Sequence, residues 1–305
     1  MSKEKLKHER PFLPVKYDVI FRLFFADERN EEELISLLKS VLLLNEEEYE
    51  SIEIADPHLL PEYTGDKYAV IDIKLHTKNR KVIHVEVQLQ VPPSMKNRIV
   101  FYDAKLITEQ MGSGDKYEDI QKVISIIITE EQLISDSPSY HHRFTFYDPE
   151  AKVEFTDIVE IHTLELRKLP VSADGTALYD WAKFIDAETE EELDMLAQRN
   201  PQVRKAVVKL RELSADERAR DMLERREKGR RDFDDFMDGA EKRGHAEGLA
   251  EGRAEGLAEG RAEGLAEGRI DVARNLVKMN MPIEQIIAAS GLTREEIEML
   301  LNQPE

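Results

Sequence analysis

The chain has 305 residues, no cysteine and a formal charge of -20 at pH 7. That length suits one sizeable core with an accessory region. The missing thiols exclude a disulfide framework and a thiolate metal site, and so acidic a balance argues against a passive nucleic-acid binder built on a basic stripe. An enzyme that reaches phosphates through a bound divalent cation stays compatible, because a cation between carboxylates and a phosphate reverses the local charge. The opening MSKEKLKHERPFLP is charged and proline-punctuated without an apolar signal-peptide run, and no stretch approaches the roughly 18 apolar residues of a membrane span. A cytoplasmic protein with no membrane contact is expected.

In chain order, YDVIFRLFFADE at 17–28 and the stretch 30–44 each carry apolar residues at helical spacing, so two amphipathic helices open the domain after a tail at 1–13. Asp18 and the run Glu31, Glu32, Glu33 stand at their N-terminal ends, where carboxylates favour a helix start. The proline-bounded SIEIADPHLLPEY is read as extended. Residues 69–76 and 82–90 then alternate with period two around a turn at 77–81, which predicts a hairpin. Ile71, Ile73 and Leu75 point one way and Asp72, Lys74 and His76 the other; in the second strand Ile83, Val85, Val87 and Leu89 oppose His84, Glu86, Gln88 and Gln90. A one-residue slip would mix the faces, so paired numbers sum to an even value, and a five-residue loop makes that sum 158 and sets Asp72 opposite Glu86 and Lys74 opposite His84. Directly opposed Cβ atoms lie about 4.5–5.5 Å apart.

A helix over about 93–111 follows, closed by Gly112-Ser113-Gly114, and then VISIIIT, whose β-branched run suggests a strand covered on both faces. Residues 144–147 and 153–161 predict a second hairpin around Asp148-Pro149-Glu150, with 178–184 and 189–228 helical. The basic run at 204–231, with 11 Arg and Lys against 6 Asp and Glu, reads as a solvated helix face. From Gly244 the sequence AEGLAEGR recurs with Gly at every fourth position to 268; seven glycines at about 0.8–1.0 kcal/mol each make an isolated helix unfavourable. A long helix that pairs with a second copy is expected, with a disordered spacer as the alternative. The segment 270–305 reads as three short helices, the last opened by a Thr293/Glu296 capping box, and its acidic end suits packing better than DNA reading.

Metal-assisted phosphodiester cleavage needs carboxylates converging on divalent ions and a group that orients water. Asp72 and Glu86 share one hairpin face, and oxygen donors suit Mg²⁺ or Mn²⁺. Gln88 projects from the same face. The competing reading of the same pattern is a strand's solvated side. Two-carboxylate glycosidase chemistry is set aside, since the single tryptophan, Trp181, lies outside the hairpin.

The stretches KYDVIFRLFF, DIKL, IHVEVQLQ and MGSGDKYEDIQKVISIIIT resemble the Rpn family of recombination-promoting nucleases and transposases, over about residues 14–170. The resemblance implies an α/β, restriction-endonuclease-like PD-(D/E)XK core with a mixed sheet. A helical extension at 171–243, the repeat at 244–269 and a small module at 270–305 would follow it. It implies Asp72 and Glu86 as ligands of Mg²⁺ or Mn²⁺, and Asp18 completing the site, with Glu33 as its rival. Gln88 stands where the superfamily has lysine; it can donate a hydrogen bond but carries no charge. Lys74 is expected to contact DNA and Gln110 to contact backbone or phosphate. His84 is read as structural or at the surface, and His141-His142 as a loop pair with no visible partner. The function so implied is a Mg²⁺-dependent DNA endonuclease in recombination or transposition. The alternative is a catalytically impaired DNA-binding or assembly protein that keeps the nuclease fold and oligomerises through the Gly-repeat helix.

Overall fold

In the computed structural model, residues 11–301 are described, apart from 43, 45, 50, 51, 56, 57, 60–68, 71 and 79. Helix α1 (Asp18–Phe25) buries Phe21, Phe24 and Phe25, and α2 (Glu31–Val41) buries Leu34, Leu37, Leu38 and Val41. Between them a 3₁₀ turn at Glu28–Asn30 is capped by the Asp27 carboxylate, and the Asn30 side-chain amide donates to the Phe24 carbonyl at 2.7 Å. A short helix α3 (Glu46–Tyr49) leads to β1 (Glu53–Ala55). The predicted extended stretch continues into β2 (His58–Leu59); its residues 60–63 lie outside the described ones.

The hairpin forms in the expected register. Strands β4 (Ile73–His76) and β5 (Val82–Gln88) pair antiparallel with Ile73 against Val85 and Lys74 against His84. Its loop is held by Thr77 N–H donating to the Lys81 carbonyl at 3.0 Å, and Arg80 takes a left-handed φ of 62° to make the turn. One correction concerns its first strand. Residues 69–76 are not one element: β3 (Ala69–Val70) pairs with β2 in a separate two-stranded sheet, and Asp72 lies in a bend before β4. Ile71 lies outside the described residues.

Helix α4 (Met95–Thr108) crosses over to β6 (Val123–Thr129), which runs parallel to β5 and is buried along its whole length, as VISIIIT predicts. Strands β7 (His141–Asp148) and β8 (Val153–Glu165) form the second hairpin, with β8 parallel to β6. The resulting six-stranded mixed sheet has the order β1-β4-β5-β6-β8-β7.

Alternation sends the two sides of this sheet to different partners. Ile73, Leu75, Ile83, Val85, Val87, Ile124, Ile126 and Ile128 join the main core with α1, α2 and the helices α5 (Ala177–Asp186), α6 (Glu190–Arg199) and α7 (Pro201–Ser214). On the other side α4 lays Leu106 against Val82 and Val123, and Met95 and Ile99 against Ile127. The stretch expected as helical over 189–228 is interrupted twice. Asn200 leaves the helix to cap α7 through its side-chain oxygen, with Pro201 in the first turn where a missing N–H costs nothing.

The chain divides into two compact units, residues up to 228 and residues from 229. Helix α8 (Glu217–Lys278) is continuous through the AEGLAEGR repeat. A Cβ built on any glycine from Gly244 to Gly268 would meet nothing within 4 Å, so no close approach within the described chain requires them. Helices α9 (Ile283–Ser290) and α10 (Arg294–Leu301) close on the end of α8 through Ala273, Ile286 and Ile297. The capping box is present: Glu296 accepts from Thr293 N–H at 2.7 Å and Thr293 Oγ1 accepts from Glu296 N–H at 3.3 Å. Among the described residues no helix is long and apolar enough to cross a membrane.

Ile126 sits fully buried at the centre of the sheet. Ile126→Ala should therefore lower unfolding stability by about 2–5 kcal/mol, and Ile126→Val by about 0.5–1.5 kcal/mol, read from urea denaturation midpoints.

Candidate active site

The hairpin's polar face is not a solvated one. Because α4 covers it, His84 is fully buried and Glu86 is 3 % exposed. Glu86 Oε1 accepts from an Arg98 guanidinium nitrogen at 2.5 Å and from Gln88 Nε2 at 2.9 Å. Its second oxygen, Oε2, is buried without a hydrogen-bond partner. Burial pushes the Glu86 carboxyl up, against the pull of Arg98 and Gln88.

Asp72 reaches the same place by a different route. The bend before β4 lets its side chain turn onto the neighbouring strand, where Oδ2 accepts from Val87 N–H at 2.8 Å. Desolvation pushes this carboxyl up to about 7, reinforced by the charges of Glu86 and Asp18 and opposed by the Val87 bond and by Arg22. The two hairpin acids therefore stand within electrostatic reach of each other, with Asp18 of α1 close enough to act on Asp72.

The other expected residues fall as follows. Asp18 is ion-paired with Arg226 of α8, at 2.5 Å. Glu33 is buried and salt-bridged to Lys209 at 2.5 Å. Lys74 pairs with Glu109 at 2.7 Å. Gln110, expected to contact DNA, is engaged within the protein. Its amide accepts from Gln121 N–H at 2.7 Å and donates to the Gln121 and Leu106 carbonyls, both at 3.1 Å, which fastens the end of α4 to the start of β6.

His141 and His142 do not lie in a loop without partners, as the sequence suggested. They open β7, where pairing with β8 brings His141 Nε2 to 3.0 Å from His162 Nδ1 and His142 to 3.4 Å from Glu165. Their partners are some twenty residues away in sequence, so only the strand pairing brings them together.

Sequence reasoning passed over three more groups. Asp103 interrupts the apolar stripe Met95, Ile99, Leu106 on α4, Ser125 interrupts the apolar run of β6, and both meet His84 in the buried layer between helix and sheet. Ser125 Oγ donates to Asp103 Oδ1 and lies 3.4 Å from His84 Nδ1. Asp103 Oδ2 and His84 Nε2 are buried without hydrogen-bond partners. Burial pushes Asp103 up to about 7 and His84 down to about 3, so imidazole is neutral throughout the physiological range. A polar residue breaking a helical apolar stripe is a readable signal. Arg98 offered none, since an Arg in the first turn of a helix looks like ordinary surface.

The donor set fits a hard divalent cation. Two desolvated carboxylates, one of them with an orphaned oxygen, lack compensating positive charge beyond Arg98 and Arg22. Among the described residues no three His, Asp or Glu side chains form a ready cage for a metal.

A mixed sheet with a carboxylate-bearing hairpin, a crossover helix and a parallel central strand defines an α/β core of the PD-(D/E)XK nuclease class. The chain matches the PD-(D/E)XK nuclease family transposase over residues 15–240, and it belongs to that family. No curated protein matches it. Nor does any solved structure.

The buried Asp103 gives a signed pH dependence. Its carboxyl titrates near 3.8 when unfolded and near 7 when folded, so between these values unfolding releases a proton and rising pH favours unfolding. Asp103→Asn keeps an acceptor for Ser125 and removes the titration. Melting in EDTA from pH 4 to 7 should show the variant gaining stability over the wild type as pH rises; parallel curves would contradict the assignment.

Proposed function

We propose that the protein is a metal-dependent DNA endonuclease that hydrolyses phosphodiester bonds in recombination or transposition. The observation that carries this reading is the Asp72/Glu86 pair, held desolvated at one end of the hairpin with Glu86 Oε2 unsatisfied. Asp72 and Glu86 hold Mg²⁺ or Mn²⁺. When bound, the cation lowers the pKa of a water and stabilises charge on the transferring phosphoryl group.

The chain's own residues do the rest. The Val87 N–H fixes the Asp72 carboxylate. Gln88, whose amide already donates to Glu86, orients water or phosphate by hydrogen bonding and cannot act as a base. Asp18 adds a third carboxylate on release from Arg226, and Lys74 of β4 contacts the DNA backbone on release from Glu109. Gln110 serves this surface indirectly by pinning the end of α4.

A second reading, an impaired assembly protein, is favoured by neutral Gln88 and by the Arg98 guanidinium already on Glu86. Melting with Mg²⁺ separates the two, because a site built for metal is stabilised by it. Supercoiled and single-stranded DNA should be cut with Mg²⁺ or Mn²⁺ and not in EDTA. Asp72→Ala and Glu86→Ala should each lower the rate at least about 10²-fold. A folded wild type that neither cuts nor gains stability from any divalent metal would move the conclusion to the assembly protein.

The long helix belongs to this proposal as a pairing element between copies. Its glycine row is needed by no contact within the described chain, while Leu249, Leu257 and Leu265 stand exposed along it. Glycine rows allow close backbone approach between helices. Deleting residues 246–261 should lower the oligomeric mass seen by light scattering, and an unchanged protomer number would remove the helix-pairing idea.

A further inference from the structure

We propose that Arg98 is the phosphate-binding cation of the site, supplying from α4 the positive charge that neutral Gln88 leaves out of the hairpin. The inference rests on the nuclease reading for the place where a phosphate comes to lie.

The geometry is that of a guanidinium held but not used up. One terminal nitrogen of Arg98 is on Glu86 Oε1 at 2.5 Å, its plane lies over the Tyr102 ring at 5.7 Å, and Nε is buried with no hydrogen-bond partner. The side chain keeps 31 % of its exposure, while Glu86 beneath it keeps 4 %. Glu86 and the ring thus orient a planar fork of five donors, of which the carboxylate takes one, at the boundary between the buried acids and solvent. An arginine cannot give up its proton, so Arg98 contributes fixed charge and paired N–H donors to an anion rather than base catalysis. The other cations near the hairpin are placed differently. Lys74 is paired with Glu109, and Arg22 bears on Asp72 from the exposed side of α1. Arg98 alone among these three touches Glu86, the acid two residues before the position where the superfamily's lysine would stand.

The charge location also explains how Gln88 can be tolerated. A lysine at 88 would project from the end of β5 beside Glu86; Arg98 brings its guanidinium to that same carboxylate from across the sheet–helix boundary. Position 88 is left with orienting a hydrogen bond.

The test uses the full-length protein, a fluorescein-labelled mixed-sequence DNA duplex and four chains: wild type, Arg98→Gln, Arg98→Lys, and Arg98→Gln combined with Gln88→Lys. Duplex affinity is measured in EDTA over a range of salt, and single-turnover cleavage at saturating Mg²⁺. If Arg98 holds phosphate, Arg98→Gln weakens binding and flattens the slope of log affinity against log salt by about 1. It also slows cleavage by about 10²-fold. Arg98→Lys keeps the slope but not the full rate, and Gln88→Lys restores the slope to Arg98→Gln. If Arg98 only positions Glu86, Arg98→Gln leaves the salt slope unchanged and its rate returns at higher Mg²⁺, which overturns the proposal. So does an Arg98→Lys chain with wild-type rate, or a wild type with no measurable affinity for the duplex in EDTA. A wild type that binds but cuts with no metal removes the nuclease reading, and the EDTA salt slopes then decide the role of Arg98 by themselves.

Discussion

Everything at this site depends on one constraint: the side of the sheet that carries polar residues is covered by a helix. In β5 the odd-numbered Ile83, Val85 and Val87 enter the main core, so His84 and Glu86 face α4. In the neighbouring parallel strand Ser125 faces the same way between Val123 and Ile127. Burying such groups costs free energy unless each finds a partner. The helix answers with residues one and two turns apart. Arg98 meets Glu86, and Asp103 meets Ser125, while Met95, Ile99 and Leu106 supply the apolar contacts that keep helix and sheet closed.

The satisfaction is incomplete. Glu86 Oε2, Arg98 Nε, Asp103 Oδ2 and His84 Nε2 are all buried in this one layer without hydrogen bonds. Asp72, Glu86 and Asp103 all have carboxyls pushed up, chiefly by desolvation, and the charge of Glu86 adds to the rise in the other two. Well-packed apolar residues in place of buried ion pairs are often neutral or stabilising. Keeping acids desolvated beside one another makes physical sense where a divalent cation and a phosphate complete the charge balance, the usual relation between a destabilised site and its activity. By contrast, Glu160 of β8 is compensated: Arg143, Lys122 and His162 hold it and keep its carboxyl well below the usual range.

The residues beyond the sheet obey different rules. Helices α5, α6 and α7 present their apolar stripes to the main core and begin at identifiable N-caps, Thr176, Thr189 and Asn200. Helix α8 carries a low-complexity repeat whose seven glycines weaken it at about 0.8–1.0 kcal/mol each, with no contact in the described chain to offset them. The helices after it have a small core of their own and a reciprocal cap at Thr293 and Glu296.

What the sequence determined by itself was local and periodic. Strict alternation on both sides of a five-residue loop admits one register, and Lys74 does stand against His84. The β-branched run at 123–129 suggested a strand covered on both faces, and the capping box at Thr293 needed three residues of spacing and nothing else. Tertiary structure decided the rest. A row of polar side chains has the same period in water and beneath a helix, so the burial of His84 and Glu86 could not be read from it. The bend that turns Asp72 onto Val87 depends on β3 leaving to pair with β2. Arg98 lies twelve residues from Glu86, and His141 twenty-one from His162. Spacing constrains neighbours within a strand or helix turn. Contacts across elements are set by how those elements pack, and that is where this site acquired its charge.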